Sequence, residues 1–202
     1  KYIRQCIEGF LNQKTDFLLE ILIFDDASVD KAPQIIKDIA TRNENIKLFL
    51  QDENQWSKKK YGLMDWLFPA AKGKDIALCE GDDYWTDPLK LQKQVNFMEA
   101  NPDYSGIGTN AEVIYEFSDR PKHLFKNYPD KTLRINDFLE SRPFHTATFL
   151  FRKDAYKIDF PNNILSADRA LYMLTACSGK IKFLADVRFY NWTVYSQIQY
   201  KF

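Results

Sequence analysis

The chain has 202 residues, of which 45% are hydrophobic and 28% are charged. This composition is that of a soluble globular protein, and the length suffices for one domain with a substantial core. Twenty-eight basic residues balance twenty-eight acidic ones. The chain therefore lacks the positive field with which nucleic-acid-binding proteins collect phosphates, and we expect no nucleic-acid partner.

The cysteine pattern and the apolar runs bear on the compartment. Cys6, Cys79 and Cys177 are far apart in apolar surroundings, which favours reduced thiols over a disulfide framework or a zinc site. The longest apolar runs are too short to span a bilayer, and no signal peptide is visible. These features predict a cytoplasmic location. Because the chain enters a helical pattern directly at its start, we also expect sequence upstream of Lys1.

Helical and strand patterns alternate along the first half of the chain. An amphipathic helix over 2–11 precedes the apolar run Glu20 to Phe24, which is typical of a buried parallel strand. A helix over 29–42 and a second strand over 46–50 follow. This alternation predicts a mainly parallel sheet flanked by helices, in which ligands bind beyond the carboxyl ends of the strands.

The next strand leads to the most acidic stretch of the chain. A helix over 61–71 precedes a strand over 75–79, which ends at Glu80-Gly81-Asp82-Asp83. Crowded carboxylates repel one another unless a divalent cation or hydrogen-bond donors neutralise them. Asp and Gly are also ordinary turn formers. The cluster is therefore either a metal site or an acidic turn.

The remaining patterns are less regular and do not divide the chain. A helix over 88–99 is followed by one strand over 104–117, a polar loop over 118–128 and a short helix over 135–140. We expect a single domain over residues 1–202.

Three motifs, in this order, resemble those of family-two glycosyltransferases. The run from Glu20 to Asp30 resembles their nucleotide-sugar signature, and the run from Glu80 to Asp83 resembles their acidic metal-binding motif. Phe144-His145-Thr146-Ala147-Thr148-Phe149, with Ser166-Ala167-Asp168-Arg169-Ala170-Leu171 after it, resembles the acceptor-side strand and the start of the helix that carries the catalytic base. The resemblance spans nearly the whole chain.

This resemblance implies a GT-A fold, a Rossmann-like α/β domain with a nucleotide-sugar-binding half (1–100) and an acceptor-binding half (101–202). It implies an inverting enzyme that transfers a single hexosyl or hexosaminyl unit to a glycan or lipid-linked acceptor, in polysaccharide biosynthesis of the cell envelope. A lipid-linked acceptor would bring the protein to the inner face of the membrane. The implied cofactor is Mn²⁺ or Mg²⁺, held by Asp83, Asp82 and Glu80.

The implied donor site and catalytic base each have an alternative explanation. Asp25 or Asp26 would contact the base of the nucleotide, and a carboxylate accepts from the imide N–H of uracil, which favours a UDP-sugar. Either could instead cap the following helix. Asp168 would deprotonate the acceptor, or it is only a charge at a helix start. The full donor set is Asp25, Asp26, Ser28 and Asp82, of which Ser28 also fits a role in organising the turn.

The acceptor side would include His145, Thr146 and Trp85. His145 lies in a strand-like approach to the site, although a buried core histidine fits the pattern nearly as well. The ring of Trp85 could stack on a sugar, yet aromatic residues beside strand ends are commonly core packing.

Two departures from the family leave other classes open. The family's first strand, with its Pro-Thr-Tyr-Asn-like turn, would precede Lys1, and the segment Phe189 to Thr193 lacks the histidine that relatives carry. A non-catalytic nucleotide- or carbohydrate-binding domain of the same fold is one alternative. A sugar nucleotidyltransferase is another, but it would need a Gly-rich, basic phosphate loop. The missing Gln-x-x-Arg-Trp signature favours single-sugar transfer over polymer extrusion.

Overall fold

The computed structural model describes residues 2–58, 60, 62–115, 119–156, 166–185 and 191–194. Its first half follows the predicted alternation, and strands β1 and β2 pair in parallel. Apolar residues of these helices and strands, including Ile7, Ile23, Ile36 and Ile39, form one core cluster. The elements are α1 (Ile3–Leu11), β1 (Ile21–Asp25), α2 (Ala32–Ala40) and β2 (Ile46–Leu50).

The segment predicted as a helix over 61–71 is only partly α-helical. Gly62–Leu67 is π-helical, and it continues into the short helix α3 (Phe68–Ala70). Strand β3 (Asp75–Ala77) then ends two residues earlier than predicted, before the acidic cluster. Helix α4 (Lys90–Ala100) follows, close to the predicted range.

A five-stranded mixed sheet forms the centre of the second half, in the order β3-β8-β4-β9-β7. Strands β4 and β9 are parallel, whereas β8 runs antiparallel to both of its neighbours. Helix α6 packs on β4 and β9, over a core rich in aromatic rings. The further elements are β4 (Tyr104–Thr109), β7 (Lys131–Leu133), α5 (Ile135–Glu140), β8 (Leu150–Arg152), α6 (Ala167–Ser178) and β9 (Lys180–Leu184).

The prediction of one strand over 104–117 was wrong, because the chain changes sheets at Asn110. The side chain of Asn110 pairs with the backbone of Lys126, accepting from its N–H at 3.0 Å and donating to its carbonyl at 2.6 Å. Beyond it, β5 (Glu112–Tyr115) joins a separate sheet with β6 (His123–Leu124) and β10 (Asn191–Val194). Strand β6 lies in the segment predicted as a loop.

The α/β class with helices on a mixed sheet is confirmed. Antiparallel pairs occur in two sheets: β8 with β3 and β4 and β7 with β9 in the five-stranded sheet, and β6 with β5 in the three-stranded sheet. Within the described ranges, no helix combines the length and the apolar character needed to cross a membrane. Part of the segment from Phe189 to Thr193, which lacks the family histidine, lies outside the described residues.

Candidate functional site

A cavity of about 300 Å³ lies beyond the carboxyl end of β1. Its lining comes from the start of α1, the turn after β1, the first turns of α2 and the acidic turn after β3. This volume is at the lower end of the range for small-ligand pockets. All four predicted donor residues line it, as part of the set Tyr2, Ile3, Phe24, Asp25, Asp26, Ser28, Asp30, Ala32, Ile36, Gly81 and Asp82.

The two aspartates after β1 organise the loops around this cavity. Asp25 is buried, and its Oδ2 accepts a hydrogen bond from the Ser28 N–H at 3.0 Å. Asp26 accepts from the N–H groups of Gln55 and Trp56, at 2.5 and 3.1 Å. The first carboxylate therefore closes its own turn, and the second anchors the loop that follows β2.

A different aspartate binds the first N–H group of α2. Asp30 Oδ1 accepts from the N–H of Ala32 at 2.8 Å. Asp25 and Asp26 accept instead from N–H groups of the two loops described above, so the structure does not support the helix-cap alternative for them. Between them and the helix, Ala27 has a φ of 59°, in the left-handed region that side chains disfavour.

The acidic turn after β3 places two carboxylates beside His145. One ligand atom each from Glu80, Asp83 and His145 lies within 4.8 Å of the other two. Asp83 is buried, and its Oδ2 is 3.7 Å from Nδ1 of His145. Carboxylate oxygens and imidazole nitrogens are common metal ligands. The candidate metal group thus contains Glu80 and Asp83 as predicted, together with His145, whereas Asp82 lines the cavity.

The pairing of β3 with β8 explains why His145 reaches this turn. The two strands are antiparallel, with Ala77 opposite Leu150. The chain that leaves β3 and the chain that enters β8 therefore lie at the same edge of the sheet. The family resemblance had placed His145 on the acceptor side, and the antiparallel pairing of β3 with β8 brings it beside the acidic turn instead.

His145 is held in its neutral, metal-binding form. Burial, together with the positive charge of Arg142, lowers its pKa to about 4, and the negative charge of Asp168 only partly opposes this. An imidazole must be unprotonated to bind a metal. His145 can therefore serve as a ligand throughout the neutral pH range.

The pKa of Glu80 is raised, whereas that of His145 is lowered. Although much of the residue is exposed, its carboxyl group is crowded by protein atoms, and this desolvation raises its pKa to about 7. The charges of Asp82 and Asp168 act in the same direction. A bound cation would reverse this local balance, since it favours the ionised carboxylate.

Asp168 lies in the first turn of α6, where the resemblance placed the catalytic base. Its carboxylate accepts hydrogen bonds from Arg142 Nη2 and from Ser166 Oγ, and from the N–H of Arg169 at 2.9 Å. Its charge acts on both Glu80 and His145. The Arg142 guanidinium and the Ser166 hydroxyl thus orient this carboxylate near the metal group. Arg142 carries no motif of its own, and its position three residues before His145 was the only signal in the sequence.

Thr146 and Trp85 belong to the support of the site. Residues Thr146–Thr148 form a 3₁₀ turn, not the predicted strand. The Thr146 hydroxyl is hydrogen-bonded to Tyr172 OH at 2.8 Å, and Trp85 Nε1 donates to Ala147 O at 2.8 Å. Trp85 is only 7% exposed. Its ring therefore packs in the core, the second of its two predicted roles, and offers no open face to a sugar.

The cavity lies where open α/β domains bind ligands, beyond the carboxyl ends of the strands, and the carboxylate–imidazole group lies beside it. A family model described as glycosyl transferase family 2 matches residues 1–159. The chain belongs to glycosyltransferase family 2.

Curated relatives agree with this family. An uncharacterised protein of Mycobacterium tuberculosis is 33% identical over 186 residues, which cover 92% of this chain and 53% of that protein. EpsE of Bacillus subtilis, named as a glycosyltransferase, is 30% identical over 156 residues, which cover 77% of this chain and 53% of EpsE. The chain spans about half the length of these relatives.

Solved structures show the same fold. S. aureus TarS 1-349 in complex with UDP has a TM-score of 0.72 and 22% identity, over 96% of this chain and 56% of that one. The mannosyltransferase PcManGT from Pyrobaculum calidifontis, in complex with GDP-Man and Mn²⁺, has a TM-score of 0.64 and 15% identity, over 99% and 54%. The fold is the predicted GT-A fold.

Proposed function

We propose that this chain is the catalytic domain of an inverting glycosyltransferase, which moves one sugar from a UDP-sugar to a hydroxyl of a glycan or lipid-linked acceptor. One observation carries the proposal: a single turn serves both the cavity and the metal group. Gly81 and Asp82 line the cavity, while Glu80 and Asp83 face His145. A nucleotide in the cavity would present its diphosphate to this turn.

The donor set of the metal group fits a divalent cation. Two carboxylates suit Mg²⁺ and Mn²⁺ alike, and the imidazole, a ligand typical of transition metals, favours Mn²⁺ of the two. Glu80, Asp83 and His145 would hold the ion. Bound there, it would neutralise the negative charge that develops on the departing diphosphate. The Mn²⁺ in PcManGT supports this choice.

Asp168 is the proposed general base. It would take the proton of the acceptor hydroxyl as that oxygen bonds to the anomeric carbon of the sugar and the nucleoside diphosphate leaves from the opposite face, which inverts the configuration. Its hydrogen bonds with Arg142 and Ser166 fix the direction of its carboxylate. A positioned base of this kind contributes about 10²- to 10⁴-fold to a rate.

The base of the donor is proposed to be uracil, read by Asp25 or Asp26 at the cavity wall. The UDP bound in TarS supports this, whereas the GDP-Man bound in PcManGT supports guanine, which also donates N–H groups to a carboxylate. A mismatched base should lose roughly 1 to 3 kcal/mol, because it does not donate the hydrogen bond that the matched base makes to the carboxylate. Titration with UDP, GDP and ADP decides between them, and equal affinities would remove the base-reading role.

The metal-dependent donor site is tested by calorimetric titration of UDP with and without Mn²⁺. Mn²⁺ should strengthen UDP binding by the wild type and by the control Asp103→Asn, an exposed carboxylate just before β4. It should not do so for Asp83→Asn. Equal Mn²⁺ dependence in all three proteins would mean that the acidic cluster is only a turn.

Donor turnover separates an enzyme from the alternatives. Slow hydrolysis of UDP-glucose, UDP-N-acetylglucosamine or GDP-mannose, or their transfer to an acceptor, supports the proposal, and binding without turnover supports a non-catalytic domain. Family membership argues against a nucleotidyltransferase. From the motif resemblance we further propose that the reaction belongs to cell-envelope polysaccharide synthesis in the cytoplasm, at the inner face of the membrane if the acceptor is lipid-linked.

A further inference from the structure

A buried polar network lies behind the metal group, and no step of the proposed reaction uses it. Lys90, in α4, is 0% exposed. Its Nζ donates to Oε1 of Gln94 at 2.7 Å and lies 4.2 Å from the ring centroid of Trp85. Lysine is almost never fully buried, because an ammonium group loses its hydration there. Its presence in this core indicates a role beyond packing.

The neighbours of Gln94 allow its amide only one orientation. Nε2 donates to the carbonyl oxygens of Thr148 at 2.9 Å and of Ile107 at 3.4 Å. Carbonyl oxygens only accept hydrogen bonds, so the amide N–H groups must face these two carbonyls and Oε1 must face Lys90. If the amide turned over, its oxygen would lie against the two carbonyls. Lys90, which has N–H groups to donate to Oε1 in either protonation state, reinforces the orientation in which Gln94 holds Thr148.

Thr148 connects this network to the metal group. Its Oγ1 and its N–H both donate to the carbonyl oxygen of His145, at 2.8 and 3.0 Å. Trp85 holds the preceding carbonyl of the same turn, that of Ala147. The turn that carries His145 is thus fixed at two consecutive carbonyls by side chains from the segment 85–94.

We propose that Lys90 and Gln94 are positioning residues for the metal group: they fix the turn 145–148 and so set His145 against Asp83 and Glu80. This inference rests on the proposed metal site. Neither residue lines the donor cavity, so both act through the turn. Residues that orient metal ligands from behind typically change metal affinity by about 10- to 100-fold when they are replaced.

The test measures Mn²⁺ affinity of the metal-free protein by calorimetric titration. Gln94→Glu keeps an acceptor for Lys90 but turns a second acceptor toward Thr148 O. Lys90→Met removes the donor to Oε1. Each should weaken Mn²⁺ binding by about 10-fold or more. The double variant should lose no more Mn²⁺ affinity than the more impaired of the two single variants, because both residues act through one hydrogen bond. The matched surface controls on the same helix, Gln92→Glu and Lys93→Met, should bind like the wild type.

One further variant separates positioning from stability. Met98→Ala opens a cavity in α4 and should lower the melting temperature while keeping Mn²⁺ affinity. If it weakens Mn²⁺ binding as much as Gln94→Glu does, the network is merely structural and the inference fails. If one of the two network variants does not fold, the other carries the test.

The reference variants His145→Ala and Asp83→Asn should abolish Mn²⁺ binding. If they do, while Lys90→Met and Gln94→Glu bind Mn²⁺ like the wild type, the positioning inference is overturned and the metal site stands. If His145→Ala and Asp83→Asn also bind like the wild type, the metal site and the function built on it fall together.

Discussion

At the scale of single residues, the turn beyond β1 stores backbone strain. Ala27, at a φ of 59°, has a conformation that costs roughly 1–2 kcal/mol for a residue with a Cβ. We predict that Ala27→Gly raises the free energy of unfolding by up to about 1 kcal/mol, and that the β-branched Ala27→Val lowers it by about 1–2 kcal/mol.

Urea denaturation measures both changes. The control is Ala40→Gly at the end of α2, where glycine should cost about 0.5–1 kcal/mol because the backbone there is helical. A loss of the same size in Ala27→Gly would mean that the turn is not strained in solution. The strain lies beside the donor cavity, which is where proteins tend to retain it.

Lys90 predicts a pH dependence of stability. Burial lowers its pKa from 10.5 to about 7, a shift that the nearby Cys79 thiol only partly opposes. Between these values the unfolded chain keeps the proton and the folded protein loses it, so raising the pH through this range favours folding. The slope is at most about 1.4 kcal/mol for each pH unit. Below pH 7 both states are protonated, and the slope vanishes.

Urea denaturation of wild type and Lys90→Met at several pH values isolates this contribution. The stability of the wild type relative to Lys90→Met should rise steadily from about pH 7 to about pH 10. Met98→Ala, which changes the same helix without removing a titratable group, should give a difference that does not change over this range. Parallel pH profiles for wild type and Lys90→Met would show that Lys90 keeps an ordinary pKa.

At the scale of elements, glycine in β4 allows the aromatic core to approach the turn 145–148. A Cβ at Gly108 would lie 2.3 Å from Cδ1 of Phe144, the residue before His145. Phe144 stacks on Phe149 with ring centroids 5.0 Å apart. We predict that Gly108→Ala lowers the free energy of unfolding by about 1–3 kcal/mol and weakens Mn²⁺ binding, because Phe144 must move.

Thermal unfolding and Mn²⁺ titration of the same samples check this. Gly73→Ala is the comparison, since its Cβ would meet only a backbone oxygen at 3.1 Å in a loop before β3. It should cost less stability and leave Mn²⁺ affinity unchanged. A stable Gly108→Ala with wild-type Mn²⁺ affinity would show that the strand yields more easily than its packing indicates.

Helix α6 carries the prediction about mechanism. Asp168→Asn should keep UDP binding within a few-fold of wild type but lower sugar transfer by about 100-fold or more, because a base acts only in transfer. The stability loss should be small, at most about 1 kcal/mol, since the partner Arg142 is 41% exposed and water screens the pair. Initial transfer rates, with Asp103→Asn as the control, measure it. A mutant that transfers at the wild-type rate would reduce Asp168 to a charge at a helix end.

Elements with strong local patterns were predictable, and those set by side-chain hydrogen bonds were not. Strand β2 and helix α5 have the predicted bounds, because their periodicity is local. The break between β4 and β5 depends on Asn110, whose side chain bonds to a residue sixteen positions away. The 3₁₀ turn at 146–148 depends in the same way on partners in α4 and α6. No periodicity encodes such contacts.

For the whole molecule, the motifs predicted which segments form the site but not which of their side chains lie next to one another. The residues around the cavity were expected at strand ends, since that rule needs only the alternation of elements. The approach of His145 to Asp83 needed the antiparallel pairing of β3 with β8, which the alternation does not predict. The roles of Arg142 and Lys90 needed the packed structure.

The loop after β2 is anchored to the cavity wall and carries Trp56, whose fluorescence can therefore report on the cavity. Asp26 binds the backbone of Trp56, whose side chain is 67% exposed, whereas Trp85 is 7% exposed. Iodide in solution should therefore quench the fluorescence of Trp56 far more than that of Trp85. A nucleotide that contacts Asp26 should change this quenchable emission, and Trp56→Phe should remove the part that Trp56 contributes, while Trp66, which packs on Phe24 of the cavity wall, stays in the variant. Donor occupancy could then be followed in real time, on unlabelled protein, with no sugar transferred.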